Sequence, residues 1–410
     1  MSSPNSVADI FVREVTYGTT PPLATAAAKS IRFTTEALSG TPTTTTSAEN
    51  RVDRMSGGMI VTGLEVGGEI AGELSADPSY WDLFEMGMMK TRVAAVPLGA
   101  SVSLVYTKDA TNPQLATVKV TGATLATSGI LVGNVINLSG FVNAANNGPA
   151  QVVQITAVDT AKITAKREAT TETVATGGAS RPAYVDIGST VISATFSKSY
   201  ADVTHLATTD AHSQRYPGGI VDQFTVGLTY GEIVACTFGI LANGYIQEAP
   251  SLAQAIVAAG GTVAPPGTAQ PLNASIDLGM VTVNGQPTDY CIEALTIGLN
   301  NGNTPQNCLG KAAPTKYVPG TAEVAITASI YLADSAYDAF MPGKLTLAPI
   351  GIMMAASNAN GGYAFDMPAV QLSFPDPGVT GQNAPVMIAA AGAAKVGPPA
   401  NPSALRVYFW

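Results

Sequence analysis

The sequence has little charge, few cysteines and no long apolar run. Asp, Glu, Lys and Arg make up 12% of the 410 residues, about half of the roughly 25% found in ordinary soluble domains. Their place is taken by Thr, Ser, Asn, Gly and Ala, which suit strands, turns and close backbone packing. Because a soluble monomer normally keeps a charged surface, this scarcity predicts that much of the surface is covered by copies of the same chain.

The three cysteines, Cys236, Cys291 and Cys308, are scattered and odd in number. That pattern predicts free thiols, with neither a disulfide framework nor a metal site. No stretch reaches the ~20 apolar residues of a membrane helix. Residues 1–9 are polar, which predicts no secretion signal. We therefore expect no membrane association.

The net charge of −9 argues against a protein that grips nucleic acid, since that affinity comes largely from Lys and Arg on phosphates. It does not argue against one that lets nucleic acid slide past. Gly-x-Ser-x-Gly, Cys-x-x-Cys and His-x-x-x-His are absent from the sequence, and no complete phosphate-binding loop is present. The sequence predicts a non-enzymatic protein without a cofactor, although the paired acids of a glycosidase would leave no local motif.

Residues 59–74 carry the clearest secondary-structure signal, an alternation with a period of two. One face is apolar and is predicted to pack inward: Ile60, Leu64, Val66, Ile70 and Leu74. The other face carries Glu65, Glu69 and Glu73. This pattern predicts a long strand in a large sheet or barrel wall, and its acidic face could simply be the solvated side of an antiparallel sheet.

A short helix is predicted directly after this strand. Asp77 is suited to the N-cap and Pro78 to the first helical position. Trp81, Phe84 and Met88 then form one apolar stripe that ends near residue 89. We expect this stripe to pack the helix against the sheet.

Two further segments differ from their surroundings. Residues 96–185 contain closely spaced short strands and turns, which predict a small inserted β-barrel or sandwich on the outer surface. Residues 248–273 are rich in Ala, Gly and Pro and are predicted to be a linker with a short helix at 251–258. The polar segment 39–50 is predicted to be a loop long enough to reach a neighbouring molecule.

The second half of the chain repeats the first. The even-numbered residues from 322 to 332 are apolar, and Glu323 is one of the residues between them. Residues 333–341 then resemble residues 76–84 if one deletion is allowed. Tyr337 and Phe340 thereby match the first helix. The chain is predicted to hold a first β-domain in residues 1–95 and 186–247, the insertion at 96–185, the linker at 248–273 and a second β-domain in 274–410. Chance similarity of two amphipathic strand–helix units is the alternative.

Two motifs together resemble the tail tube proteins of long-tailed (siphovirus-type) bacteriophages. The first joins GGEIAGEL at 67–74 to WDLF at 81–84, and the second joins GYAFDMPAV at 362–370 to LRVYFW at 405–410. The resemblance implies a mainly β protein: two tandem β-sandwich domains, each with a flanking helix, whose inner sheets join between subunits into a β-barrel. It also implies rings of six such domains. Fused double domains would then form homotrimers with pseudo-hexameric symmetry, with a plain hexamer as the other option.

The resemblance also implies a function and partners. The chain would be a structural virion component made in the bacterial host cytoplasm, whose stacked rings conduct DNA during ejection. Besides itself it would meet the tape measure, tail tip and tail terminator proteins, and DNA would pass without specific binding. Glu65, Glu69, Glu73 and Glu323 would line the lumen. A contractile-system tube and a secreted or cell-surface carbohydrate-binding β-sandwich protein are the alternatives.

Overall fold

The computed structural model describes residue 3 and residues 6–49, 58–122, 124–125, 128–287, 291–378, 385–398 and 401–410. The chain is mainly β, and a closed barrel of six strands stands beside the larger sheets, as predicted. Before the barrel come β1 Val7–Arg13, β2 Ala27–Ile31, β3 Thr35–Glu36, β4 Ser39–Thr46, β5 Met59–Glu73 and helix α1 Pro78–Gly87. The barrel contains β6 Val96–Lys108, β7 Leu115–Val120, β8 Val135–Ser139, β9 Gly148–Ala157, β10 Thr160–Thr164 and β11 Glu172–Arg181.

The rest of the chain adds two further groups of elements. The first group is β12 Ala183–Asp186, β13 Ala194–Thr204, β14 Ala211–Thr229, β15 Ala235–Leu241, β16 Ile246–Glu248, α2 Leu252–Ala258 and β17 Thr262–Ala264. The second group is β18 Leu278–Val283, β19 Gln286–Pro287, β20 Ile292–Asn300, β21 Thr304–Gln306, β22 Lys316–Val318, β23 Glu323–Tyr331, α3 Asp334–Phe340, β24 Ile350–Asn358, β25 Gly361–Ser373, β26 Met387–Ala394 and β27 Arg406–Phe409. Short 3-10 turns lie at Leu23–Thr25, Ala144–Asn146 and Met341–Gly343.

Eight antiparallel strands form one continuous layer, which we call the long sheet. Their order is β4-β5-β15-β14-β20-β23-β26-β25. The first four strands come from the part of the chain before residue 242 and the last four from the part after residue 291. In each of these two parts, chain order one-two-three-four becomes spatial order one-two-four-three, with a helix after the second strand. The two parts thus share one topology, and we call them the first and second repeats.

Two outer sheets cover the face of the long sheet that points into the protein core. The first outer sheet runs β17-β2-β1-β13-β14-β16, using the initial part of β14. The second outer sheet runs β18-β24-β25-β27-β12, using the initial part of β25. Each long strand therefore passes from an outer sheet into the long sheet. One apolar core, with α1 almost wholly buried in it, fills the space between the layers of both repeats.

Helix α1 has the predicted start. Asp77 is its N-cap, and the carboxylate accepts a hydrogen bond from the Ser79 backbone N–H at 2.8 Å, while Pro78 stands in the first turn. The helix ends at Gly87 with Met88 as its C-cap, slightly before the predicted end. The short helix predicted at 251–258 is also present, and Ser251 and Gln254 form a capping box at its start.

The segment predicted to be a loop contains a strand, and the helix predicted within the linker packs on a sheet. Within 39–50, predicted to be a loop, residues 39–46 form β4, which pairs with β5. Within 248–273, predicted to be a linker, Leu252 and Ile256 of α2 pack on Ile10 and Val12 of the first outer sheet. The threonine-rich composition of residues 39–46 hid β4, because it shows no apolar period.

Candidate functional site

The long sheet buries one face, and none of the described elements covers its other face, which we call the open face. Val66 and Ile70 of β5, and Leu74 directly after it, point into the core, whereas Glu65 and Glu69 are exposed and Glu73 is half-buried. Neighbouring strands continue the alternation, because directly paired residues of an antiparallel sheet point to the same side. The open face is thus one surface built by both repeats.

Most side chains on the open face are small and uncharged. Its middle row is Ala71, Thr237, Thr225, Gly298, Ala325, Ala393 and Gln371. The adjoining row is Glu73, Ala235, Gly227, Thr296, Thr327, Ala391 and Ser373. On the other side lie Glu69, Gly239, Gln223, Asn300 and Glu323. Every charged side chain on these three rows is a carboxylate.

The predicted acidic residues therefore share one surface. Glu65, Glu69 and Glu73 follow one another along β5, and Glu323 begins β23, four strands away in the sheet. Within the described ranges, none of the four carboxylates forms an ion pair or a side-chain hydrogen bond. The small residues between them were not predicted as site residues, although the alternating Ala389, Ala391 and Ala393 in the sequence could have indicated such a face.

Ile60 does not pack inward as predicted. Its side chain is 57% exposed, as are those of its neighbours Met59 and Val61, at 77% and 62%. Here β5 runs beyond the core, and among the described residues it pairs only with β4 and is covered by no second layer. Leu64, closer to the core, is half-buried.

The helix residues named from the sequence pack differently in the two repeats. Phe84 and Met88 are fully buried, and the Trp81 ring lies 5.9 Å from that of Phe409. In α3, Phe340 is buried, but Tyr337 is 53% exposed. Ala336, one turn before Phe340, occupies the inward position, because the deletion relative to α1 shifts the helix register.

The free edges of the long sheet lie at its two ends. In the described residues β4 pairs only with β5, and the last residues of β25, Gln371–Ser373, pair only with β26. Between these ends, the repeats join through β14 and β20, paired from Gln223↔Asn300 to Thr229↔Ala294. In its described residues, one chain thus contains one complete joint between repeats and two edge strands without a neighbouring strand on their outer side.

A groove of about 1050 Å³ lies beside the projecting part of β5, between the β4–β5 hairpin and the loop that joins β20 to β23. The loop is anchored there, because the Leu64 N–H donates to the Ala312 carbonyl at 2.8 Å. The loop belongs to the second repeat and the hairpin to the first. This contact therefore shows how one repeat rests on the next.

Other kinds of site have little support. Among the residues that the structure describes, no cluster of three or more His, Cys, Asp and Glu side chains could hold a metal ion. Cys236 is buried, while Cys291 and Cys308 are exposed free thiols. None of the helices in the described ranges is long and apolar enough to cross a membrane.

Comparison with known proteins identifies the family. No curated protein is significantly similar to the chain. A family model described as phage tail tube protein matches residues 10–394, which is nearly the whole chain. The chain therefore belongs to the phage tail tube protein family and is a structural component of a phage tail.

Proposed function

We propose that three copies of the chain close into a ring, that the open face lines its bore, and that stacked rings conduct DNA during ejection. The domain division is part of this proposal: 1–95 with 186–247, the insertion 96–185, the linker 248–273 and the second domain 274–410. The single observation that carries it is the β14–β20 joint. It supplies, inside one chain, the contact that β25 of one copy would make with β4 of the next.

Backbone chemistry favours this closure. Unpaired N–H and C=O groups along an edge strand invite pairing with another chain. Closing a ring pairs every edge, and three chains would supply six four-stranded repeats in pseudo-sixfold symmetry. Barrels of about 16–18 strands already leave an aqueous channel, so a ring with eight strands from each of three chains has room for a lumen.

The chemistry of the open face suits a channel for DNA. The duplex carries one charge per ~1.7 Å of its axis, and basic side chains would hold it by releasing counterions. Unpaired Glu65, Glu69, Glu73 and Glu323 would instead repel it within a Debye length of about 8 Å. The short side chains between them project little into the lumen and offer few contacts, so the duplex passes without specific binding.

Exposed apolar side chains support stacking of the rings. Along the strand direction, one rim of the long sheet carries Met59, Ile60 and Val61, which we call the hairpin rim. The opposite rim carries Tyr230 and Ile233. Different surfaces at the two ends favour head-to-tail contacts, which build open tubes. The tape measure, tail tip and terminator proteins would be the further partners in the virion.

Disulfide trapping tests ring closure and counts the subunits. Thr41, Thr43 and Ser373 all belong to the open face by their pairing. We expect Ser373→Cys combined with Thr41→Cys or Thr43→Cys, in a Cys291→Ser/Cys308→Ser background, to cross-link assembled tubes into a ladder ending at three chains. The Ser373→Cys chain alone is the control. A ladder ending at six chains would replace the trimer with a hexamer, and no cross-link in assembled tubes would refute the β4–β25 joint.

A further inference from the structure

The two outer sheets are both covered on their outer sides, but by different elements. On the first outer sheet, Ile10, Val12 and Ala28 are buried beneath Leu252 and Ile256 of helix α2. The alternate residue Phe11 points into the main core. The sheet is therefore apolar on both sides, and α2 keeps its outer side out of water.

The second outer sheet has the same two-sided apolar pattern. On β24, Ile352, Met354 and Ala356 face the main core, while Met353 and Ala355 face outward. Ala364, Tyr408 and Met280 continue the outward surface across neighbouring strands, and all of them are buried. In the described part of the second repeat, no helix lies over them. The element that contacts this surface is the inserted barrel.

The barrel is docked on this surface by specific contacts. Val135 of β8 is fully buried among Met280, Met353 and Tyr408. Beside it, the Thr282 hydroxyl donates to the Gln151 side-chain oxygen at 2.8 Å, in a buried hydrogen bond. The interface thus combines a buried apolar side chain with a buried hydrogen bond. Separating the barrel from the sheet would break both contacts, so the interface is expected to be permanent.

The chain segment that leaves the barrel forms part of the second outer sheet. After β11 the chain forms β12, which pairs with the C-terminal strand β27 from Ala183↔Phe409 to Asp186↔Arg406. The Arg406 guanidinium lies 4.3 Å from the centre of the Tyr184 ring and its Nε lies 2.5 Å from an Asp186 oxygen. Although inserted in the sequence of the first repeat, the barrel therefore covers the second.

We propose that the inserted barrel is an intramolecular lid: it covers the outer side of the second outer sheet, as α2 covers the first, and clamps the two repeats together. The apolar surface of the second outer sheet is therefore covered by a part of the same chain and not by an external partner. The barrel is thus required for the soluble subunit before assembly. This inference does not depend on the proposed bore or on DNA passage.

A point substitution inside the interface provides the first test. Val135→Asp would place a charge in the apolar contact, whereas Val142→Asp changes a barrel residue that is 93% exposed. We expect the first variant to lower Tm by several degrees and to increase amide hydrogen exchange at least tenfold in 352–356 and 406–409. The second variant should leave both unchanged. Equal exchange in those segments for wild type and Val135→Asp would overturn the proposal.

Excision provides the second test. The Val93 and Tyr184 backbones are joined by hydrogen bonds of 2.7 and 3.1 Å, so a short Gly-Ser linker can replace residues 95–182. We expect the excised chain to aggregate or bind an apolar dye strongly, because its outward residues become exposed. Adding Met280→Thr and Met353→Thr should restore a soluble chain. An excised chain that is soluble with an unchanged Tm, or one that these two substitutions do not rescue, would contradict the lid.

Discussion

Phe224 of β14 and Leu299 of β20 stand directly opposite each other where the two repeats meet, and both are buried on the core side. On the open side of the same joint, Thr225 faces Gly298. The joint is therefore dry and apolar on one side and small and polar on the other. The same division is what a joint between separate copies would need, because it keeps the core closed and the bore hydrophilic.

Proline scanning of the free edge should separate folding from assembly. Successive N–H groups of a strand point to opposite edges, so one of Thr44 and Thr45 donates outward from β4 and the other toward β5. We expect proline at the outward position to keep the Tm of the isolated chain within about 2 °C and to abolish tubes. Electron microscopy and thermal melting check this. If every variant that keeps its Tm also assembles, β4 is not the joining edge.

Charge on the hairpin rim should block stacking while leaving the subunit folded. Ile60 and Val61 are exposed on a part of β5 that lies outside the core, so the double substitution Ile60→Lys/Val61→Lys removes little burial within the chain. We expect rings or free subunits, but no long tubes, by electron microscopy. Val142→Lys, on the barrel, is the matched control and should assemble normally. Normal tubes from the rim variant would exclude this rim from ring contacts.

Charge reversal on the open face should slow DNA passage without preventing assembly. Glu69 is exposed and has no ion partner in the described ranges, so Glu69→Lys should change stability by less than about 1 kcal/mol. In phage carrying this substitution we expect normal tails and slower ejection, with a delay that shrinks as salt is raised. Glu168→Lys, on the exposed surface of the barrel, is the control. Unchanged ejection at low salt would argue that Glu69 does not meet the DNA.

Phe84 connects the two repeats through the core. Its ring lies 5.0 Å from Phe224 and 5.2 Å from Phe238 in the first repeat, and 5.7 Å from Tyr363 in the second. We expect Phe84→Ala to lower the free energy of unfolding by about 3–5 kcal/mol. Tyr337→Ala, at the half-exposed position of α3, should cost less than about 1 kcal/mol. Denaturant titration measures both, and similar losses would contradict the assignment of the core.

Asp366 should make stability depend on pH. Burial raises the pKa of this carboxyl to about 7, against the lowering effects of Arg406 and of the Asn401 amide that donates to it. The folded chain thus binds this proton more tightly than the unfolded chain, so the free energy of unfolding falls as pH rises from about 4 to about 7. We expect Asp366→Asn to weaken this decline, which makes the variant relatively more stable at about pH 8 than at about pH 5.

The measurement for Asp366 is denaturant unfolding of both chains across that pH range. Asp9, whose pKa burial raises to about 8, adds a dependence of the same sign to both chains and therefore cancels in the comparison. Parallel pH profiles for wild type and Asp366→Asn would show that Asp366 does not titrate as described.

Strong local patterns allowed prediction of much of the fold from the sequence. The alternation from Val66 to Leu74 and the Asp77-Pro78 cap are properties of a few neighbouring residues, and both occur as expected. The barrel was predictable because its strands are closely spaced between turns. The repeat was visible because two strand–helix units survived one deletion, although that deletion also misplaced Tyr337.

The remaining features depend on contacts between distant residues. Ile60 continues the apolar period of β5, yet nothing in the sequence tells that the core ends before it. The docking of Val135 on Met353 joins residues more than two hundred positions apart, so no local pattern could reveal it. Similarly, the small residues of the open face carry no chemistry individually and become a surface only through the pairing of eight strands.

The most direct measurement of the central claim is a cryo-electron microscopy map of the assembled tube. We predict that Glu69 and Glu323 lie on the inner wall, that β4 of each chain pairs with β25 of its neighbour, and that the six-stranded barrel faces outward. A map with the open face on the outside of the tube, or with β4 and β25 unpaired, would contradict the account.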